Sequence, residues 1–407
     1  METGHIGRRI AYWRDRRGLT QNDFGRLMGQ TRRWVQDIEG GKRQTDPRLS
    51  VLVRAADVLR IPLEQLVSDT PQPQPASAGP QRPAEVDQVI DALYGNAPDD
   101  RPIPTAETLT RRLVASCLAF QACHLSALAR DLPGLILDTE RAVHAAPADR
   151  VCEAQGRLSR VYQLVTSYLH KYGAATALQA AVAADRALAA AERSGDPVHI
   201  GAAARRVTKS LAYQHRPIAA VEYATGTARR LADDLAGRGT LGLSTLGMLY
   251  LNAALAASSQ ERTTARVRHA SDLVDEAGDV AERQGGDLDE DWTMFGPTNV
   301  GLHRVDMLCR FEDGWSALDA ADGLNPQAVA ALSRERVVGL HLSRVRAGLL
   351  ARRKDIAADA LLAADALAPE EIEGRPDTIR LVEDVVRAHA MPDAGLRGLA
   401  ERCGLRA

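Results

Sequence analysis

Alternating apolar and polar residues are what this sequence of 407 residues lacks most. Aromatics make up 4% of it, and beyond residue 84 no stretch reads convincingly as a strand, which excludes a β-rich body. Cysteine is sparse. Cys117, Cys123, Cys152, Cys309 and Cys403 form no C-x-x-C and no paired framework, so reduced, buried thiols in a cytosolic protein are expected rather than a disulfide scaffold. No apolar run approaches the length of a membrane span, and the first residues lack a signal peptide's apolar core. A cytoplasmic protein without a membrane partner is expected. Catalytic signatures are missing too, with no H-E-x-x-H, Walker loop or G-x-S-x-G. The ten histidines are scattered, with no cluster that reads as a metal site. The acidic run D-L-D-E-D at Asp287–Asp291 lacks the glycine and spaced ligands of a calcium loop, and reads as a solvated loop and helix start. Neither enzymatic activity nor a metal or cofactor is expected.

Charge of one sign is also lacking overall, the net being −2, but the distribution is uneven. Residues 1–69 carry 13 Lys+Arg against 9 Asp+Glu, a net of +4, and the remainder carries 38 against 44, a net of −6. A basic head on an acidic body fits a DNA-binding module joined to something else. Arginine outnumbers lysine 47 to 4 and alanine is abundant, a bias of GC-rich coding sequence rather than of chemistry.

The most informative stretch is Gly18 to Arg43, which reads as two short helices joined by a tight turn. Leu19, Phe24 and Leu27 are spaced to bury one face of the first helix, and Gly29 supplies the turn. Thr31 is a good N-cap for the second helix, whose buried side is Val35 and Ile38. Its other side carries Arg32, Arg33, Gln36 and Asp37, with Gln30 just ahead of the cap. A guanidinium can bond guanine O6 and N7 together, and an amide can pair with adenine N6 and N7, so this helix suits the major groove of double-stranded DNA. Lys42 and Arg43 just beyond it suit phosphates. Arg8, Arg9, Arg14, Arg16 and Arg17 form a denser cluster on the preceding helix, read mostly as solvated.

The pattern Leu19-Thr20-Gln21, Gly29, Thr31, Val35, Ile38-Glu39 and Gly41-Lys42-Arg43 resembles the Cro/phage-repressor-type helix-turn-helix family often called Xre. Gln30 and Trp34 depart from it, sitting where the family usually has an aliphatic and a small polar residue. The resemblance implies five helices, at Ile6–Arg17, Gln21–Met28, Thr31–Glu39, Arg48–Leu59 and Pro62–Val67. It also implies that Arg32, Arg33, Gln36 and Asp37 face bases and that Gln21 anchors on phosphate or an adjacent base.

Residues 70–84, T-P-Q-P-Q-P-A-S-A-G-P-Q-R-P and the alanine after it, are Pro-rich and read as an extended linker between a head at 1–69 and a body at 85–407. The body is helical throughout. Ala-rich frames recur from Ala175, Pro217, Gly314 and Asp355, roughly every 40 to 50 residues, which is longer than a standard tetratricopeptide unit. Stretched tetratricopeptide-like hairpins stacked into a superhelix are therefore expected, giving an all-α protein with a five-helix Cro-type head and an α-solenoid body. Head, linker and body together resemble regulators of high-GC Gram-positive bacteria, above all in D-W-T-M-F-G-P-T-N-V-G-L-H-R-V at Asp291–Val305. The layout is similar, more distantly, to peptide-sensing quorum regulators.

Lys209, Tyr213, Asn252, Trp292, Asn299 and His303 are polar or aromatic residues in otherwise apolar helices and are candidates for binding a peptide or small-molecule effector on the concave face. Asn299 reads equally as a local cap or turn bond, and Tyr213 and Trp292 read also as core. The expected protein is a homodimeric, sequence-specific transcriptional regulator whose body binds an effector and dimerises. The alternative is a body that binds a protein partner such as a toxin, sigma factor or kinase.

Overall fold

The computed structural model describes residues 4–40, 49–59, 61, 66, 83–95 and 102–405. Their contacts divide the chain into two units, Met1–Gly79 and Pro80–Ala407. Both are helical. Among the described residues no strand occurs, only an isolated bridge between Leu288 and Phe295.

The head contains α1 (Gly4–Arg16), α2 (Gln21–Met28), α3 (Arg32–Glu39) and α4 (Leu49–Leu59). Ile10, Phe24, Met28, Val35, Ile38 and Leu52 come from all four helices and form one buried cluster, with Leu66 packed in. Leu27 is not part of it. The spacing predicts it buried, but its side chain is 53% exposed and Met28 takes the inward place. Because α2 begins at Gln21, Phe24 and Met28 stand one turn apart on the core side. The expected fifth helix at Pro62–Val67 and most of the linker at 70–84 lie outside the described residues.

The body begins with α5 (Ala84–Tyr94), α6 (Ala106–Gln121) and α7 (Leu125–His144). Hairpins follow: α8 (Val151–Leu169) with α9 (Ala177–Ser194), α10 (Pro197–Tyr213) with α11 (Pro217–Ala236), and α12 (Gly239–Ala257) with α13 (Thr264–Gln284). Then come α14 (Pro297–Arg310), which packs on α15 (Gly314–Asp322), and α16 (Pro326–Ala330). The chain continues with α17 (Arg334–Leu350) packed on α18 (Lys354–Leu367), then α19 (Pro369–Glu373), α20 (Pro376–Ala388) and α21 (Ala394–Arg402). Four of the second helices, α9, α11, α15 and α18, carry the recurring Ala-rich frames. On α9, Ala180, Ala183, Ala184, Ala187, Ala190 and Ala191 are all buried. Side chains this small let neighbouring helix axes approach closely.

First helices of the hairpins pack side by side, in the order α6, α8, α10, α12, α14, α17, and α17 then touches α6 again. The stack expected to form a superhelix thus closes into a ring. The helix α12 is long and apolar enough to cross a membrane by length and composition, contrary to the expectation that no run is, but 72% of its apolar window is buried inside the body. Gly247 in its middle has a specific task. A Cβ there would stand 1.9 Å from the ring of Phe295, so only glycine admits that side chain.

Candidate nucleic-acid interface and ligand cavity

In the head, α2 is started by a reciprocal cap. The Thr20 hydroxyl accepts from the Asp23 backbone N–H at 3.1 Å, and the Asp23 carboxylate accepts from the Thr20 N–H at 3.3 Å. Gly29 ends the helix at φ 67°, the left-handed region that favours glycine. Thr31 Oγ1 then accepts from the Trp34 N–H at 3.2 Å and starts α3. Gln30, Thr31, Arg32, Arg33 and Gln36 are exposed together on the first turns of α3, and Asp37 is half-buried beside them. Lys42 and Arg43 lie outside the described residues.

Behind this face a network of charge and amide groups ties three helices together. Arg14 of α1 donates from Nε to Glu39 Oε1 at 2.6 Å and from a second nitrogen to Oε2 at 3.2 Å. Gln21 Nε2 donates to the same carboxylate at 2.9 Å, and Gln36 Nε2 donates to Gln21 Oε1 at 3.3 Å. Arg14 is therefore buried, correcting its reading as a solvated residue. Arg9 also departs from that reading, donating to the Leu66 carbonyl at 3.0 Å. Arg16 lies over the rings of Tyr12 and Trp13.

Inside the ring of the body lies a cavity of about 620 Å³, within the size range of small-molecule sites. The six residues singled out from the sequence all line it: Lys209 and Tyr213 from α10, Asn252 from α12, Trp292 from the preceding loop, and Asn299 and His303 from α14. Tyr213 and Trp292 are half-buried on its wall, and Trp292 also packs against the buried apolar cluster, in keeping with its reading as core. Tyr213 stacks on His170 with centroids 4.9 Å apart, and the Lys209 ammonium stands 6.0 Å from the Tyr213 ring centroid. Asn252 is occupied locally, donating to the Met248 carbonyl at 2.8 Å. Asn299 makes a local bond, Nδ2 donating to the Thr293 carbonyl at 3.1 Å, while its buried Oδ1 has no hydrogen-bond partner. His303 shares a hydrogen bond of 2.9 Å with the Asn299 carbonyl, and burial drives its pKa down to about 4, so it is neutral.

Sequence reasoning missed the larger part of the wall. Arg205 and Arg206 precede Lys209 on α10 and face the same space. Lys171 bridges Glu335 at 2.9 Å and Glu371 at 2.7 Å across the ring closure. A usable signal existed in the scarcity of lysine, because two of the four in the chain, Lys171 and Lys209, stand on this wall. The arginines were hidden by their own abundance.

The acidic run Asp287–Asp291 is exposed at Asp287 and Asp289 and leads into a short helical turn at Glu290, as expected of a solvated loop and helix start, but its carboxylates also have fixed partners. Asp287 accepts from the Thr298 N–H at 2.9 Å, holding the start of α14. Asp289 accepts from Gln121 at 2.9 Å, and the nearly buried Asp291 pairs with Arg160, whose guanidinium lies over the Trp292 ring. Cys117, Cys123 and Cys309 are buried, with thiols pushed up to about 12 by desolvation. Cys152 is exposed and Cys403 half-buried, against the expectation for all five.

A family model described as a helix-turn-helix domain matches residues 5–67. No curated protein and no solved structure matches the chain. The match covers the head and leaves the body without a counterpart, and it supports reading the protein as a helix-turn-helix DNA-binding regulator.

Proposed function

We propose that the chain is a sequence-specific transcriptional regulator of the Xre type that binds double-stranded DNA as a homodimer through residues 6–67. Arg32, Arg33, Gln36 and Asp37 read bases in the major groove, with Gln30 and Thr31 at the entry and Gln21 held against the backbone. Two heads read half-sites about one helical turn, or a multiple, apart. The body, a set of tetratricopeptide-like hairpins, dimerises and binds a small effector within its cavity. It carries out no catalysis. The observation that carries the DNA-binding part is the exposed, capped first turn of α3 with two guanidiniums and an amide, backed by the Glu39 network. The effector part is supported by a cavity wall assembled from successive hairpins. A ligand there regulates only by preferring one arrangement of the body over another.

The test is genome-wide recovery of DNA on the purified full-length protein at near-physiological salt, compared with the double variant Arg32→Ala, Arg33→Ala. The parent should recover a palindromic motif. The variant should keep its helical content by circular dichroism and lose the motif. Survival of the same motif in the variant would overturn the assignment of α3.

A further inference from the structure

The cavity wall holds nine Lys and Arg residues against five Asp and Glu. Every one of those five carboxylates is already engaged. Asp291 pairs with Arg160, Asp306 with Arg310, and Asp377 with Arg380. Glu335 and Glu371 share Lys171, and Glu371 also takes Arg375. On α10 the opposite holds. Arg205, Arg206 and Lys209 have neither a hydrogen-bond acceptor nor an ion-pair partner among the described residues, and the Nε groups of both arginines are buried and unpartnered. Arg205 is only 5% exposed. Lys209 reaches into the cavity and is exposed there.

A buried cation without a counterion is strongly destabilising. Arg205 is such a cation, Arg206 is half-buried and Lys209 opens onto the cavity. The three stand within five residues, Lys209 being four and three positions after the two arginines on one helix face, and they also repel one another. Burial first, and then Arg206 and Lys171, lower the Lys209 ammonium to about 7, and burial and then Arg336 lower the Arg206 guanidinium to about 10. Glu335, already paired with Lys171, offsets part of this for Arg206 and Lys209 without forming an ion pair with either. What completes such a site is an anion from outside, and a guanidinium fork matches the paired oxygens of a carboxylate or a phosphate. The wall next to the three cations is not uniformly polar. Tyr213 and Leu255 offer surface to an apolar body attached to the anion.

We propose that the cavity is a receptor for a small organic anion, a carboxylate or a phosphate ester, whose oxygens are gripped by Arg205, Arg206 and Lys209. This rests on the reading of the cavity as the effector site and names the chemical class of that effector.

Thermal unfolding of the full-length chain tests it, with inorganic phosphate, sodium benzoate and benzylamine hydrochloride each compared with sodium chloride at matched ionic strength. Phosphate, benzoate or both should raise Tm by roughly 2–5 °C at saturation, and benzylamine should not. A shift with phosphate alone marks a phosphate site, and one with benzoate alone marks a carboxylate site. The variant Arg205→Met should melt at or above the parent without added anion and lose the shift. Lys209→Met, whose side chain ends in open space, provides the same comparison if the more tightly packed Arg205 variant fails to fold. Equal shifts for benzylamine and benzoate, or no shift with either anion, would overturn the proposal. So would an undiminished anion shift in Lys209→Met. Operator binding is measured beside it. Loss of the motif together with a persisting anion shift would sink the regulator reading and leave the anion site standing, and the reverse result would sink only the anion site.

Discussion

The residue that most changes the reading of the head is Glu39. Its carboxylate holds Arg14 of the first helix and Gln21 of the second, and through Gln21 it reaches Gln36 on the exposed face of α3. In the proposed role of Gln36 as a base reader, an amide tethered in this way loses less rotamer freedom on meeting DNA than a free one. Glu39→Ala should therefore act twice. It takes the bidentate carboxylate from the buried Arg14 guanidinium, which keeps only Asp15 and the Leu19 carbonyl, and this costs about 2 kcal/mol of head stability. It also releases Gln21 and Gln36, so operator affinity should fall by about tenfold, the equivalent of 1.4 kcal/mol. Scanning calorimetry and a DNA titration on the full-length chain check the two effects separately. Unchanged affinity at a temperature where the variant head is folded would show that the tether has no part in recognition. The Leu-Thr-Gln and Ile-Glu motifs were legible in the sequence as matches to a pattern. What joins them was not, because the bonds link residues 18 and 25 positions apart, which no helical period relates.

Among the elements, the loop between α13 and α14 does more than connect. It carries Asp287, Asp289 and Asp291 to three different partners and Trp292 to the cavity wall, with Asp291, Trp292 and Met294 all at positive φ. Such backbone persists only where its surroundings hold it. The Phe295 side chain, seated on Gly247 of α12, is one anchor. Gly247→Ala should expel that ring at a cost of about 1–3 kcal/mol, and the loop should shift with it. Lower Tm and changed Trp292 fluorescence would report this, and adding Phe295→Ala should recover part of the loss by emptying the contested space. No recovery in the double variant would place the strain elsewhere. Sequence alone read this loop as solvated because an acidic run is solvated in most contexts. It could not see that an aromatic eight residues past Asp287 is pinned to a helix nearly fifty residues earlier. The six polar residues in apolar helices were easier, since a polar side chain on an inward face needs either a partner or a space, and the ring supplies a space.

At the scale of the body, the hairpins and the closure are held together by different physics. Successive helices share buried apolar side chains along their lengths. Where α6, α7 and the turn that follows α8 meet α17, α19 and α20, polar joints close the ring. Ser126 donates to Glu370 from its backbone N–H at 2.7 Å, Arg375 donates to the Lys171 carbonyl at 3.1 Å, and Lys171 binds Glu335 and Glu371. Partners more than 160 residues apart in sequence make this joint, which is why the repeats predicted a row and gave no sign that it closes. The polar joint also makes the ring sensitive to acid. Burial pushes the carboxyls of Glu335 and Glu371 up, but Lys171 and the arginines beside them outweigh it, and both end below the ordinary value of 4.5. Carboxyls lowered in this way contribute stability that is fully present above the unfolded value and is lost as pH falls through the folded one. The hairpins rest mainly on buried apolar side chains and depend on such carboxyls less, Asp306 and Asp313 being the lowered ones among them. On titration from neutral pH downward, the ring should open before the helices melt. Trp292 fluorescence should change at higher pH than far-ultraviolet circular dichroism does. Lys171→Met removes the cation that keeps both carboxylates charged, so the gap should widen, with the fluorescence change moving towards neutral pH while the helical signal stays in place. Coincident transitions in the parent would mean that the closure and the hairpins form a single cooperative unit, and that the cavity can open only when the whole body unfolds.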